Sequence, residues 1–548
     1  MKRWRARLTL AAISSAALTS LAASADDCSR LTFTDVTSEL GITFTHDRGA
    51  SGLKHFPETM GAGLAWLDFD GDGWQDLYLV QSGHFPPPVP SHPHGMLLRN
   101  LQGEDFEEVT FRSAAAHTGY GQGVLASDLD GDGAVDLLIT TFGENQLLLN
   151  TGSGAFREAS ENLTGAEAGW SSSAATADAD LDGDLDLYIS QYVVYDPAAP
   201  IFCGDPQTGV RRYCDPSIFA GARDLYLENQ GNGRFEEVGE SVGLASADGR
   251  GLGVLFVDLD DNLHPEIYVA NDLTPNSLFR NRGDGRFEDV SLLSGAAVNR
   301  EGKPEAGMGL ALGDQNTDLL PDLLVTNFDV ETNTYYEASG DLSFLDLSAA
   351  SGLGSPSFNF LAFGIVTADL DGDADLDVYI ATGHIFERPR RDNIPYRQRD
   401  QILLGDGRGH FEELRCSWLD TRVNVSRGLA MADFDNDGDV DLASQESGGP
   451  ASLLRNDTGP ADWLGMVLRG NPGNTEAIGA RAVLRSDDIS QTRWVIAGDS
   501  YQSTSDRRIL FSMPDHDGGA AVELRWPTGR RVRLLRPNTG RYFVFAER

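Results

Sequence analysis

The chain has 548 residues, 41% of them hydrophobic, so it can bury a large core and is globular rather than disordered. Lys and Arg total 43 against 83 Asp and Glu, a formal net charge of −40, which argues against nucleic acid and anionic membrane as partners. Sixty-one glycines predict many tight turns, hence many short strands.

Residues 1–25 read as an export signal. Lys2, Arg3, Arg5 and Arg7 precede an apolar stretch from Leu8 to Leu21, and Ala23-Ser24-Ala25 offers a small-residue cleavage site before Asp26. That stretch is shorter than the ~20 residues a membrane span needs, and no later segment is long and apolar enough. The expectation is an exported chain, periplasmic or extracellular, with no membrane span.

From residue 68 onward one nine-residue pattern recurs seven times, with an oxygen-bearing side chain at positions 1, 3, 5 and 9. The first three loops carry Asp68, Asp70, Asp72 and Asp76, then Asp128, Asp130, Asp132 and Asp136, then Asp178, Asp180, Asp182 and Asp186. Loop four has Asp258, Asp260, Asn262 and Glu266, and loop five has Asp314, Asn316, Asp318 and Asp322. Loop six has Asp369, Asp371, Asp373 and Asp377, and loop seven has Asp433, Asp435, Asp437 and Asp441. Alternate residues of a curled loop aim oxygens at one centre, position 7 can lend its carbonyl, and position 9 closes the cage. Six to eight hard oxygens are what Ca²⁺ takes. Without a cation, two carboxylates ~4 Å apart repel by about 4 kcal/mol at an effective dielectric of 20. Gly73, Gly133, Gly183 and Gly438 at position 6 suit the turn. An EF-hand would need Glu at position 12 and flanking helices, whereas Leu79 stands there inside a β-rich run. Up to seven Ca²⁺ ions are expected.

Downstream of each loop an apolar strand leads through a Gly-rich turn to a Phe-led acidic strand, as in Leu97-Leu98-Arg99-Asn100 followed by Phe106-Glu107-Glu108-Val109. Phe156, Phe235, Phe287, Phe344 and Phe411 mark further copies, but none follows loop seven. The missing copy stands at the N-terminus, Phe33-Thr34-Asp35-Val36. A ring explains that permutation, because the first strand then completes the last repeat and hides its edge. Loops 50 to 80 residues apart suit four-stranded blades with insertions. The reading is all-β: a seven-bladed β-propeller over 26–457.

Each acidic loop opens a strand, so the connection closing that strand lies on the opposite face. Insertions fall there at Gln81–Gly95, Gln191–Arg223 and Gly383–Asp400. The third is basic, with Arg388, Arg390, Arg391, Arg397 and Arg399, and would suit a carboxylate, a sulfated glycan or an acidic protein loop. The bland alternative is a solvated strap that balances charge locally. His84, His92 and His94 in the first insertion could hold a metal or be exposed strap residues. His384 could face the axis, though no partner for it is legible. Glu387 with Tyr195 is the one candidate set for acid–base chemistry; no catalytic residue is assigned.

Residues 458–548 differ, with seven short apolar segments between Trp463 and Phe545; from 462 on, thirteen arginines stand against ten acids. They read as a small, separate β-sandwich-like domain.

The acidic loops resemble FG-GAP/VCBS repeats, as in integrin α-chain propellers. Tyr268-Val269-Ala270-Asn271-Asp272, Asn281 to Phe287 and Ala306-Gly307-Met308-Gly309 are similar to the cartilage acidic protein/UnbV family. Ile478-Gly479-Ala480-Arg481 and Arg525-Trp526-Pro527-Thr528-Gly529 resemble its C-terminal ASPIC/UnbV domain. The resemblance implies a secreted calcium-binding protein with no reaction attached. Loops four and five depart from the pattern at His264-Pro265 and Leu320-Pro321 and are expected to be the weakest sites.

Two functions stay open: a calcium-rigidified binding or adhesion module for a protein or glycan, and a glycan lyase or hydrolase on the insertion face. An exported chain with four cysteines suggests two disulfides. Cys203–Cys214 would staple the longest insertion, and Cys28–Cys416 would pin the closing strand.

Overall fold

The structure is a computed structural model that describes residues 30–86, 94–244, 249–387, 394–459, 462–486, 489–513, 520–535 and 537–547. The proposed export signal, Cys28, His92, Arg388, Arg390 and Arg391 lie outside the described residues.

The repeat folds as a four-stranded antiparallel meander. In sheet one the strands are Leu64–Leu67, Asp76–Leu79, Met96–Asn100 and Phe106–Glu108. Six more such meanders follow, led by Tyr120–Ser127, Gly169–Ala177, Gly251–Val257, Leu310–Gly313, Ala362–Ala368 and Ser426–Ala432, the first two of them joined into one nine-stranded sheet where Gly169 and Trp170 pair with Gly143 and Phe142. Each leading strand packs on the next, and the last packs on Leu64–Leu67, so the sheets close a propeller ring. The permuted strand does what the sequence implied: Phe33–Asp35 pairs antiparallel with Ala451–Asn456, Phe33 opposite Asn456.

The leading strands approach one another so closely around the axis that a side chain is excluded at some positions. A Cβ on Gly428 would stand 2.1 Å from the carbonyl oxygen of Ala62, and Gly428 N–H donates to that oxygen at 3.0 Å. The cores lie between adjacent sheets, as where Leu64, Trp66 and Leu79 of sheet one meet Ala430, Ala443 and Leu453 of sheet seven.

Adjacent sheets are also stapled by asparagine. Asn150 Nδ2, buried at the end of the third strand of sheet two, donates to Val135 O at 3.1 Å in its own loop and to Phe69 O at 2.8 Å in the preceding one. Asn100, Asn229, Asn281 and Asn456 reach the preceding loop in the same way. Sheets five and six carry Ala338 and Gly405 instead. Asn150→Ala strands two buried carbonyls, so a loss of about 3 kcal/mol in chemical denaturation is expected; below about 1 kcal/mol, water must satisfy them instead.

The C-terminal segment forms two sheets, as expected. Trp463–Arg469 lies between Ile509–Ser512 and Arg541–Ala546, facing a four-stranded sheet of Ser490–Trp494, Arg481–Arg485, Ala521–Arg525 and Arg531–Leu535. Its Leu464, Ile509, Phe511 and Val522 share one buried cluster with Leu129, Leu147, Leu185 and Leu227 of the propeller. Its 497–508 connection runs through the propeller axis as an arm. Backbone bonds tie Thr504 to Leu64 and Trp66 at 3.0 Å, Gln502 to Val124 at 3.0 Å, Ser500 to Leu310 at 2.8 Å and Asp506 to Met431 at 2.9 Å. Gly63 is required beneath it, because a Cβ there would stand 1.9 Å from Gln502 O. The arm emerges at Tyr501, packed among Met60, Trp170 and Phe363 beneath the insertions.

Candidate functional site

Each acidic loop is shaped by its own first residue. The N–H of position 6 donates to the position-1 carboxylate in all seven, for example Gly73 to Asp68 at 3.0 Å and Leu319 to Asp314 at 2.9 Å. To point that N–H inward the backbone is left-handed at positions 4 and 6 throughout. Glycine meets this at position 6 in four loops, while Leu263, Leu319 and Ala374 adopt φ of 75° to 79°. Such φ values strain a non-glycine residue. The position-9 carboxylate accepts from position 2 and from the neighbouring strand: Phe69 N–H at 3.1 Å and Asn100 N–H at 2.8 Å for Asp76.

This folding brings oxygens together. Positions 1, 3 and 9 converge in loops one, two, four and six, at Asp68/Asp70/Asp76, Asp128/Asp130/Asp136, Asp258/Asp260/Glu266 and Asp369/Asp371/Asp377, with ligand atoms within 4.8 Å of one another. In loop three the group is Asp178, Asp180 and Asp182. One oxygen of Asp70, Asp178, Asp260, Asp314, Asp371 and Asp435 is buried without a hydrogen-bond partner, as is one of Glu266. A buried carboxylate oxygen without a donor is costly, and a cation supplies what is missing. The donors are carboxylates and amide oxygens, the set a hard divalent ion takes, so the residues fit calcium.

The electrostatics agree. Burial pushes the Asp76 and Asp136 carboxyls up to about 9, Asp322 up to about 8, and Asp178 and Asp433 up to about 7. Removing a carboxylate from water favours its neutral form unless positive charge compensates, and at Asp433 the nearby Arg508 opposes the rise without cancelling it. Some loops have part of it from arginine, which sequence reasoning missed. Arg99 Nε lies 2.7 Å from Asp70, a guanidinium nitrogen of Arg30 2.6 Å from Asp371, and one of Arg525 2.8 Å from Asp258. Arg99 shares its Leu-Leu-Arg-Asn context with Arg455, and that recurrence was the available signal.

The C-terminal domain covers this face. Thr475 donates to Asp128, Thr492 to Asp314 at 2.9 Å and Tyr542 to Asp433 at 2.9 Å. Arg481 and Arg525 both pair with Asp261, at 3.0 and 2.7 Å. The surplus of arginine after residue 462 is thus a complement to the acidic loops.

On the opposite face the insertions meet one another. Cys203 and Cys214 are disulfide-bonded with Cα atoms 5.3 Å apart, as expected; Cys416 is buried. Arg397 pairs with Glu446 at 3.0 Å, and Arg399 pairs with Glu413 and Asp420, so these two belong to local ion pairs rather than to an open anion patch. Glu387 is held by Arg48 at 2.9 Å and Lys54 at 3.3 Å, and Lys54 and Arg48 hold its carboxyl below the usual range despite partial burial. An ionised, doubly paired carboxylate is a poor general acid. Tyr195 bonds His55 Nδ1 at 2.8 Å inside an aromatic cluster with Phe85 and Phe142. Glu387 and Tyr195 are thus engaged with different partners, the first with two cations and the second with an imidazole. His94 rests edge-on against Phe111, and His84 is exposed. His384 does have a carboxylate neighbour: Nε2 stands 3.6 Å from Asp329 Oδ1.

Residues 128–189 and 258–325 match FG-GAP-like repeats, and 470–548 match the ASPIC and UnbV domain. Cartilage acidic protein 1 of Homo sapiens is 27% identical over 311 residues, 54% of this chain and 43% of that protein. The Xenopus tropicalis protein of the same name is 23% identical over 485 residues, 85% of this chain and 61% of that one. The chain thus matches roughly half the length of these relatives. Among solved structures, an Agrocybe aegerita lectin that recognises non-reducing terminal N-acetylglucosamine covers 72% of this chain and 95% of its own, at 14% identity and a TM-score of 0.39. Nothing about function passes from a likeness that distant. No helix among the described residues is long and apolar enough to cross a membrane.

Proposed function

We propose that this chain, which carries the FG-GAP-like repeats and ASPIC/UnbV domain of the cartilage acidic protein/UnbV family, is an exported calcium-binding propeller that presents a binding surface to a protein or glycan. The observation that carries the reading is the buried, unpartnered carboxylate oxygen recurring in loop after loop. Positions 1, 3, 5 and 9 would hold the ions, and each ion would fix the turn between two strands of a sheet. Rigid turns on one face keep the insertions on the other in place, which is what a recognition surface needs. Loops four and five remain the weakest sites, since Arg525 already supplies charge to Asp258 and Asn316 replaces a carboxylate.

Within loop three Asp182 is a ligand by side chain and Asp184 by carbonyl. Calcium calorimetry on Asp182→Ala is expected to lose one site, roughly a tenfold or greater fall in its affinity, while Asp184→Ala keeps it. Equal losses would refute the roles. The partner surface is tested by a glycan array and a pull-down of calcium-loaded protein, repeated in EDTA. Calcium-dependent capture of a defined glycan or acidic protein supports the module, and identical patterns with and without EDTA exclude a calcium-ordered surface.

A further inference from the structure

Beneath the insertions, above the tip of the axial arm, lies a cavity of about 260 Å³ that the calcium reading does not use. Phe56, Tyr192, Phe328 and Phe363 supply aromatic walls, and Met60 and Met308 add thioethers. Asp272, Asp329 and Glu331 bring carboxylates into the same space, with Asp215 also on its lining.

These carboxylates are only partly answered. Asp272 accepts the Tyr192 hydroxyl and is drawn to Arg250, while Glu331 accepts Ala306 N–H at 2.9 Å. Arg427 is already engaged: its guanidinium stands over Phe363 and donates to Thr59 O and Gly383 O. Burial pushes Asp272 up to about 6 and raises Glu331, as expected for negative charge short of a counter-ion.

An independent feature points the same way. His384 is 2% exposed and lines the cavity. Its Nδ1 accepts Phe386 N–H at 2.9 Å, so the neutral ring carries its proton on Nε2. Nε2 has Asp329 Oδ1 at 3.6 Å, beyond hydrogen-bond reach. The backbone is forced here as well: Leu273 and the β-branched Val330, neighbours of these carboxylates, sit at φ of 59° and 64°. Such φ values are rare for those residue types and concentrate at functional sites.

We propose that this axial cavity binds a small organic cation, an alkylammonium group on a short apolar or hydroxylated body. The ammonium lies among Asp272, Asp329 and Glu331 against aromatic faces, the arrangement that attracts such cations. His384 Nε2–H donates to a hydroxyl or carbonyl of the ligand. A neutral ligand of the same shape fills the walls and leaves the carboxylates unanswered.

Choline and its uncharged isostere 3,3-dimethylbutan-1-ol are the probes, titrated calorimetrically into the full-length protein at low salt and constant saturating calcium. Choline is expected to bind at least about tenfold more tightly than the alcohol. Asp329→Asn and Glu331→Gln should each weaken choline roughly tenfold and leave the alcohol unchanged. Equal affinity for the two probes overturns the proposal, as does failure to saturate below about 10 mM, an affinity far weaker than a built cage gives. Competitive displacement of choline by further calcium would mark an inorganic cation site and overturn it too. If neither variant folds, the charged-against-uncharged comparison on the unaltered protein still decides.

Discussion

Stripping calcium with EDTA at low salt is expected to lower the melting temperature by about 10 °C. Extracellular calcium modules bind at ~10⁻⁴–10⁻³ M. At about ten times that Kd each site contributes roughly 1.4 kcal/mol by mass action, so seven approach 10 kcal/mol. For a chain of this size the unfolding entropy is on the order of 1 kcal/mol per kelvin, which sets the shift. Arginine moderates the loss at loops one, four and six, where Arg99, Arg525 and Arg30 already sit on the carboxylates. The loops without such a neighbour carry most of it. The effect should reach the C-terminal domain, because Asp128 and Asp433 meet that domain through Thr475 and Tyr542. Scanning calorimetry with and without EDTA checks this, and an unmoved melting temperature would mean the cages are held by their own hydrogen bonds alone.

Much of this was legible in residue spacing. The period-two oxygens of the loops survive any change of context, because a curled loop with strands on both sides is a local structure. The Phe33 closing strand was legible for a different reason: a missing repeat at one terminus and a spare one at the other leave ring closure as the simple account. What sequence reasoning missed is non-local. Asn150 looks like a strand end, and only the ring shows that its amide crosses to Phe69 of the preceding loop. The arm from Ala497 to Arg508 falls between two of the short apolar segments, and nothing in its spacing says that it enters the ring. Its polarity is what an axis lined by leading-strand N–H and C=O groups demands, since an apolar plug would leave those groups unpaired. A signal was present in Gly63, Gly123, Gly253, Gly309, Gly364 and Gly428, which stand at one position ahead of the acidic loops. Their recurrence marks a crowded axis, though not what crowds it. The aromatic, acidic cavity was illegible, because Asp272, Asp329 and His384 come from three sheets and share no spacing.

Tyr501→Ala is expected to cost about 4 kcal/mol, the range for truncating a buried aromatic side chain. The ring is fully buried at the tip of the arm, with Phe363 at a centroid distance of 5.1 Å and its hydroxyl on Met60 O at 3.1 Å. Its neighbours belong to the leading strands and the insertion face, which cannot collapse onto a void without breaking the bonds that tie Ser500 to Leu310 and Gln502 to Val124. The full cavity cost should therefore appear. Tyr501→Phe keeps the ring and strands only the Met60 carbonyl, so about 1 kcal/mol is expected. Chemical denaturation separates the two, and the shape of the transition carries further information. The C-terminal sheets share one core with Leu147, Leu185 and Leu227 of the propeller, so both variants should still unfold in a single step. A loss under about 1 kcal/mol with alanine would mean that the surroundings relax onto the void after all. An arm that locks the domain to the ring makes native-state proteolysis faster in the alanine variant, because cleavage of the opened form tracks the free energy lost.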